Sequence, residues 1–216
     1  MSLTFYFAPY STASVTEAVI AELGLSPERV EVAIGLDGTQ SAAYRAINPN
    51  GRVPTIVHDG VTIWESAAIT LYLGEVFGVT QGLFPETGPQ RGEAMKWVIW
   101  TNMVLAEAGS RLSAMMAGDG AAQEGSIDWV APEMRSAAAA EQAKSDVHGA
   151  LKILDAELSG KSFVLGEYSL VDTHMQGFVG WLTMIRIDLS PYPEVAAWLG
   201  RCMKRPAVAA LMSQDA

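Results

Sequence analysis

Apolar positions in the first 78 residues alternate between a strand-like and a helix-like period. "LTFYF" at Leu3–Phe7 is a short apolar run with the look of a first strand. From Ser14 onward Val15, Ala18, Val19 and Leu23 share one helical face, and Gly24 ends it. "RVEVAI" alternates like a second strand, and "SAAYRAI" is a short helix candidate closed by the turn former "NPNG". "TIVHDGVTIW" predicts two strands joined by Asp59-Gly60, a favoured two-residue hairpin turn. "ESAAITLYLGEVFG" then predicts a helix with Ile69, Tyr72 and Leu73 buried and Gly78 near its end. The predicted order is βαβαββα.

From about residue 89 the strand patterns stop. "PQRGEAMKWVIWTNMVLAEAGSRLSAMM" predicts one long helix and "APEMRSAAAAEQAKSDVHGALKILDAEL" another. "SLVDTHMQGFVGWLTMI" is a third, and short helices follow, the last starting at Pro206. The Gly- and Pro-rich stretch "GVTQGLFPETGP" marks the joint. The expected organisation is an α/β domain over 1–78, a linker over 79–88 and an all-helical domain over 89–216.

Composition narrows the chemistry. Half of the 216 residues are hydrophobic and 18% are charged, as in a globular protein rather than a disordered one. The net charge of −10 and the lack of any basic run argue against nucleic acid as a partner. No apolar run approaches the roughly 18 residues of a membrane span, and the first residues show no secretory pattern. The expected location is cytoplasmic, with no membrane partner. A single cysteine, Cys202, excludes a disulfide framework and reads as a packed core residue beside Arg201. His148 and His174 have no partner at ligand spacing, so no metal is expected. His58, next to the hairpin turn, is expected to be exposed.

Two segments carry a family resemblance. "INPNGRVPTIVHDGVTIWESAAITLYL" (47–73) resembles the Asn-Pro-x-Gly-x-Val-Pro, hairpin and Glu-Ser-x-Ala-Ile pattern of the cytosolic glutathione transferases. "SLVDTHM" (169–175) resembles the Ser-x-x-Asp capping motif inside that family's second domain. The resemblance implies a thioredoxin-like N-terminal domain (βαβαββα) followed by an all-α bundle, with glutathione as co-substrate. It implies a cis Val53-Pro54 bond that leaves the Val53 backbone free to pair with the cysteinyl unit of glutathione. It gives Glu65 and Ser66 the γ-glutamyl ammonium and carboxylate, with Ser66 at a helix N-terminus. Arg52 and Gln40 are placed toward the glycyl end. Ser169 with Asp172 is expected to serve folding as a capping box.

The turn "FAPYSTASVTEA" has hydroxyls and no sulfur. In the family it resembles, glutathione supplies the sulfur and the protein holds it as thiolate, the reactive form. A free thiol has a pKa of about 8.5, and a donated hydroxyl hydrogen together with a helix N-terminus lowers it. Ser11 is placed ahead of Thr12 as that donor, while Tyr10 faces either the thiol or the second substrate. Tyr6 is an outside candidate. Ser14 with Glu17 has capping-box spacing, which would commit its hydroxyl to the helix. Without a cysteine here, thiol exchange centred on the protein is not expected, whereas reductions using two glutathiones remain open.

Met103, Met115, Met116 and Trp129 are candidates for an apolar electrophile pocket or for plain core, and the Gly-rich 117–129 stretch for a lid or a surface insertion. The function expected is thiolate attack on an electrophilic small molecule, with detoxification as its setting. A glutathione-dependent isomerase or dehalogenase is an alternative, and so is a non-catalytic binding or assembly module of the same fold. The resemblance also implies a homodimer.

Overall fold

The computed structural model describes residues 2–116 and 135–214, with side chains described as far as Leu211. The 117–129 stretch and Trp129 therefore lie outside the described residues. The first strand, β1, is Leu3–Phe7, followed by helix α1 (Ala13–Glu22), strand β2 (Glu28–Glu31) and the single-turn helix α2 (Ala42–Arg45). Strands β3 (Thr55–His58) and β4 (Val61–Trp64) form a hairpin, and α3 (Ser66–Leu73) leaves it. The four strands lie in the order β2-β1-β3-β4, with β1 parallel to β2 and antiparallel to β3, and β3 antiparallel to β4. This is the predicted βαβαββα order in a mixed, thioredoxin-like sheet. Asp59 (φ 47°) and Gly60 (φ 84°) adopt the left-handed backbone that a tight hairpin turn needs.

The all-helical part has α4 (Pro89–Trp100), α5 (Glu107–Met116), α6 (Ala137–Leu158), α7 (Leu170–Met184), α8 (Pro193–Cys202) and α9 (Pro206–Gln214). The helix expected across 89–116 is continuous but changes pitch. A π-helical segment, Thr101–Ala106, joins α4 to α5. Such a segment inserts an extra residue into a turn and redirects the side chains after it.

The two halves share a core. Phe5, Ile56 and Ile69 from the sheet side are fully buried, as are Leu151, Leu154, Leu170 and Trp198 from the bundle. Helix α1 lies directly on α7: a Cβ added at Gly177 would sit 2.9 Å from Val15 Cγ2, so only a residue without a side chain permits that approach. At the other end of α1 the Glu22 side chain, 3% exposed, pairs with Arg205 at 2.8 Å and accepts from the Tyr168 hydroxyl at 3.1 Å. The partners compensate the burial of that carboxylate.

Ser169 and Asp172 form the expected capping box at the start of α7, and Asp172 does more than cap. Its Oδ2 accepts from Ser169 N (3.0 Å) and Ser169 Oγ (3.1 Å). Its Oδ1 accepts from Val164 N (2.9 Å) and Trp198 Nε1 (2.8 Å). Burial pushes the Asp172 carboxyl up from the usual range, and these four donors pull it back. Cys202 is buried with no exposed surface, and burial raises its thiol pKa, so it is no nucleophile.

Two local expectations need correction. His58 is 8% exposed rather than on the surface, because Tyr72 and Phe77 cover it, Tyr72 with its hydroxyl 2.6 Å from Nδ1. The Ser14–Glu17 capping box does not form. Helix α1 starts at Ala13, with Thr12 at the cap position, the Ser14 hydroxyl donates to the Ser11 carbonyl at 3.0 Å, and Glu17 pairs with Arg29.

Candidate active site

The register of the sheet decides what can meet. Tyr6 pairs with Thr55, and Thr55 with Trp64. The chain therefore leaves β1, enters β3 and leaves β4 at one end of the sheet, so residues 8–12, 52–54 and 65–66 lie side by side. Helices α1 and α3 both begin at this edge. Their first N–H groups are unpaired within the helix and carry partial positive charge, so the edge favours anions.

The turn after β1 is bent sharply. Tyr10 has φ 55°, rare for an aromatic residue, and its side chain is 99% exposed. Its ring therefore stands in solvent beside the site. The Ser11 hydroxyl donates to the Ala8 carbonyl at 2.7 Å and accepts from Ala13 N at 3.2 Å. Its one hydrogen is thus spent inside the turn. Thr12 is exposed, and its hydroxyl donates only a long bond, 3.3 Å to the Val53 carbonyl, which is more easily exchanged for another acceptor. Although Thr12 stands at the helix cap, its side chain makes no capping bond. Tyr6 points away into packing with Tyr44, ring centroids 5.9 Å apart.

The Val53-Pro54 bond is cis. Its loop is braced from beneath by Asn48, 2% exposed, and Tyr44, whose side chains both donate to the Arg52 carbonyl at 2.8 Å. Asn48 was legible only as part of a turn; its amide in fact pins the loop and also donates to Thr55 Oγ1 at 3.0 Å. Gln40 donates to the Gly51 carbonyl at 2.8 Å and accepts from Arg45, so its side chain is held against the loop. Arg52 is half-buried at the loop's bend.

Glu65 has φ 72°, a strained backbone for a residue with a side chain, at the cap position of α3. This puts its carboxylate in solvent and Ser66 at the first helical position, 5% exposed. Ser66 is thus not the cap. Its hydroxyl receives a hydrogen bond from Asn102 Nδ2 at 3.0 Å. Asn102, in the π segment, was missed by pattern reading, as was its neighbour His174, whose Nε2 lies 2.7 Å from Asn102 Oδ1. Of the apolar candidates, Met103 and Met116 are 69% and 59% exposed and Met115 is half-buried, so none of the three is core.

His174 has no exposed surface, and burial pushes its pKa from 6.5 down to about 3. The unfolded chain takes a proton below pH 6.5 that the folded chain refuses, so the fold loses stability as pH falls from 6.5 toward 3. At pH 5 the loss is on the order of 2 kcal/mol. His174→Gln should flatten the fall of melting temperature between pH 7 and 5, measured by thermal denaturation of both proteins. Equal slopes would show that His174 does not titrate this way.

Family comparison matches residues 1–75 to the glutathione S-transferase N-terminal domain and residues 119–206 to the glutathione S-transferase C-terminal domain. Among curated relatives, glutathione S-transferase GstB of Escherichia coli K12 is 28% identical over 192 residues, 88% of this chain and 86% of that protein. The disulfide-bond oxidoreductase YfcG of the same strain is 29% identical over 213 residues, 95% and 92% of the two chains. Among solved structures, a glutathione transferase from Methylococcus capsulatus superposes with TM-score 0.81 at 24% identity, covering 98% of each chain. The transferase URE2P6 of Phanerochaete chrysosporium, in complex with oxidized glutathione, gives TM-score 0.85 at 18% identity, covering 99% and 96%. Both halves of the chain are matched, in the order the sheet edge and bundle require; the chain belongs to the glutathione S-transferase family.

Proposed function

We propose that the protein binds glutathione along the sheet edge and holds its sulfur as thiolate for attack on an electrophilic small molecule. The observation that carries this reading is the convergence of the hydroxyl turn, the Val53-Pro54 loop and Glu65-Ser66 at the starts of two helices. Ser66 and the first N–H groups of α3 take the γ-glutamyl carboxylate, and the exposed Glu65 carboxylate takes the ammonium. The Val53 backbone pairs with the cysteinyl unit, with Arg52 and Gln40 toward the glycyl end. Thr12 gives up its long 3.3 Å bond to the Val53 carbonyl and donates that hydrogen to the sulfur, and Ser11 keeps the turn in shape. The thiol proton goes to solvent. The sulfur then forms a C–S bond to the electrophilic carbon as the leaving group departs with its electron pair. Tyr10 and Met103 offer apolar surface to the electrophile. The same reading carries a homodimer, drawn from the family resemblance.

The test is calorimetric titration with glutathione. The wild type should bind, and Ser66→Ala should weaken binding about 10- to 100-fold, the usual worth of a hydrogen bond to a charged group. A wild type that does not bind overturns the reading.

The relationship to YfcG supports a second reading, reduction of disulfides. The turn has no cysteine and Cys202 is buried, so both reducing sulfurs would come from two glutathione molecules, released as the oxidized disulfide. Residues that stabilise a bound thiolate serve either reaction.

A further inference from the structure

Ser66 stands at the end of a chain of hydrogen bonds that runs from α3 through α7 and the π segment and back to α3. His174 Nδ1 lies 2.8 Å from Thr70 Oγ1, and His174 Nε2 lies 2.7 Å from Asn102 Oδ1. Asn102 Nδ2 then lies 3.0 Å from Ser66 Oγ. Thr70 and His174 are fully buried, so no solvent competes for their hydrogens.

The chemistry of each group orders the donors. Asn102 Oδ1 can only accept, so His174 carries its hydrogen on Nε2. The buried ring is neutral, which leaves Nδ1 bare to accept from the Thr70 hydroxyl. Asn102 Nδ2 can only donate, so it occupies a lone pair of Ser66 Oγ, and the Ser66 hydrogen must point elsewhere.

We infer that Thr70, His174 and Asn102 are positioning residues that make Ser66 an obligate hydrogen-bond donor to the γ-glutamyl carboxylate. This rests on the glutathione reading above. With the amide of Asn102 reversed, Ser66 would donate to Asn102 and show an arriving anion only lone pairs. The relay removes that choice before the ligand arrives, and it does so without a charged group that would repel the carboxylate or hold the ligand's ammonium.

Two measurements test it on the full-length protein. In ¹⁵N spectra of the histidine side chains, the resonances lost in His174→Gln should report the Nε2–H tautomer, whereas the Nδ1–H tautomer would overturn the relay's direction. Calorimetry would compare glutathione with an analogue whose γ-glutamyl α-carboxylate is a carboxamide. Asn102→Asp, which can accept from Ser66 but not donate to it, should weaken glutathione binding about 10- to 100-fold. It should also erase the wild type's preference for glutathione over the carboxamide. His174→Leu should weaken glutathione about 5-fold or more, and His174→Gln, able to donate to Asn102 and accept from Thr70, should restore it to within about 2-fold. The folded fraction of each variant, measured by urea unfolding under the same conditions, corrects its apparent dissociation constant. If the wild type binds glutathione and both Asn102→Asp and His174→Leu bind it equally well, the relay is refuted while the glutathione reading stands. If the wild type does not bind, the glutathione reading itself falls.

Discussion

Thr12→Val should lower turnover on the order of 10²–10³, the usual cost of losing one preorganised donor to a developing or resident anion. The substitution is nearly isosteric and leaves the start of α1 alone, because the Thr12 side chain makes no capping bond. Its fold stability should change by less than about 0.5 kcal/mol. Ser11→Ala should behave in the opposite way. It loses the bond to Ala8 and the acceptor for Ala13 N, costing about 1–2 kcal/mol of stability with the thiol still activated. The ultraviolet thiolate band of bound glutathione, followed across pH, separates the two. In the wild type the bound thiol should ionise below its free pKa of about 8.5, and in Thr12→Val it should return toward that value. A shifted pKa in Ser11→Ala and an unchanged one in Thr12→Val would assign the donor to Ser11.

The largest stability effect should come from Asp172. Asp172→Ala strands two backbone N–H groups, the Trp198 indole N–H and the Ser169 hydroxyl in a dry site. The expected cost is about 3–5 kcal/mol, a large part of a typical domain's stability. Asp172→Asn keeps the shape but turns an amide donor toward two of those donors, so about 2–4 kcal/mol should still be lost. Urea unfolding monitored by tryptophan fluorescence measures both, with Trp198 fully buried against the carboxylate. A loss under about 1 kcal/mol in Asp172→Ala would mean that the fold re-pairs these donors on its own.

What was legible in the chain was local. The "NPNGRVP" turn, the Asp59-Gly60 hairpin and the Ser169–Asp172 box each specify themselves within a few residues, and the βαβαββα order of elements was readable from their succession. What was not legible depends on distant partners. Ser66 could be picked out as a candidate binding residue, but Asn102, 36 residues away, and His174, 72 residues beyond that, carry no sign of their relation to it. "WTNMV" looks like any stretch of helix, and a one-residue change of pitch hides inside its apolar pattern. The offsets of Ser11 and Thr12 from Pro9 do not rank them physically either, and put Ser11 ahead on a family resemblance alone. What distinguishes them is the length of the bond each donates, 2.7 Å from Ser11 to the Ala8 carbonyl against 3.3 Å from Thr12 to the Val53 carbonyl.

The contact between Gly177 and Val15 sets a rule for exchanging parts with relatives. Bundle helices could be grafted from another family member onto residues 1–78 to import a different electrophile preference. The donor helix must then bring a glycine to that one point, or the graft will push away α1, the helix whose first turn borders the proposed thiol site. Recombination across this family would thus be limited less by the pocket being swapped than by a single missing methyl group behind it.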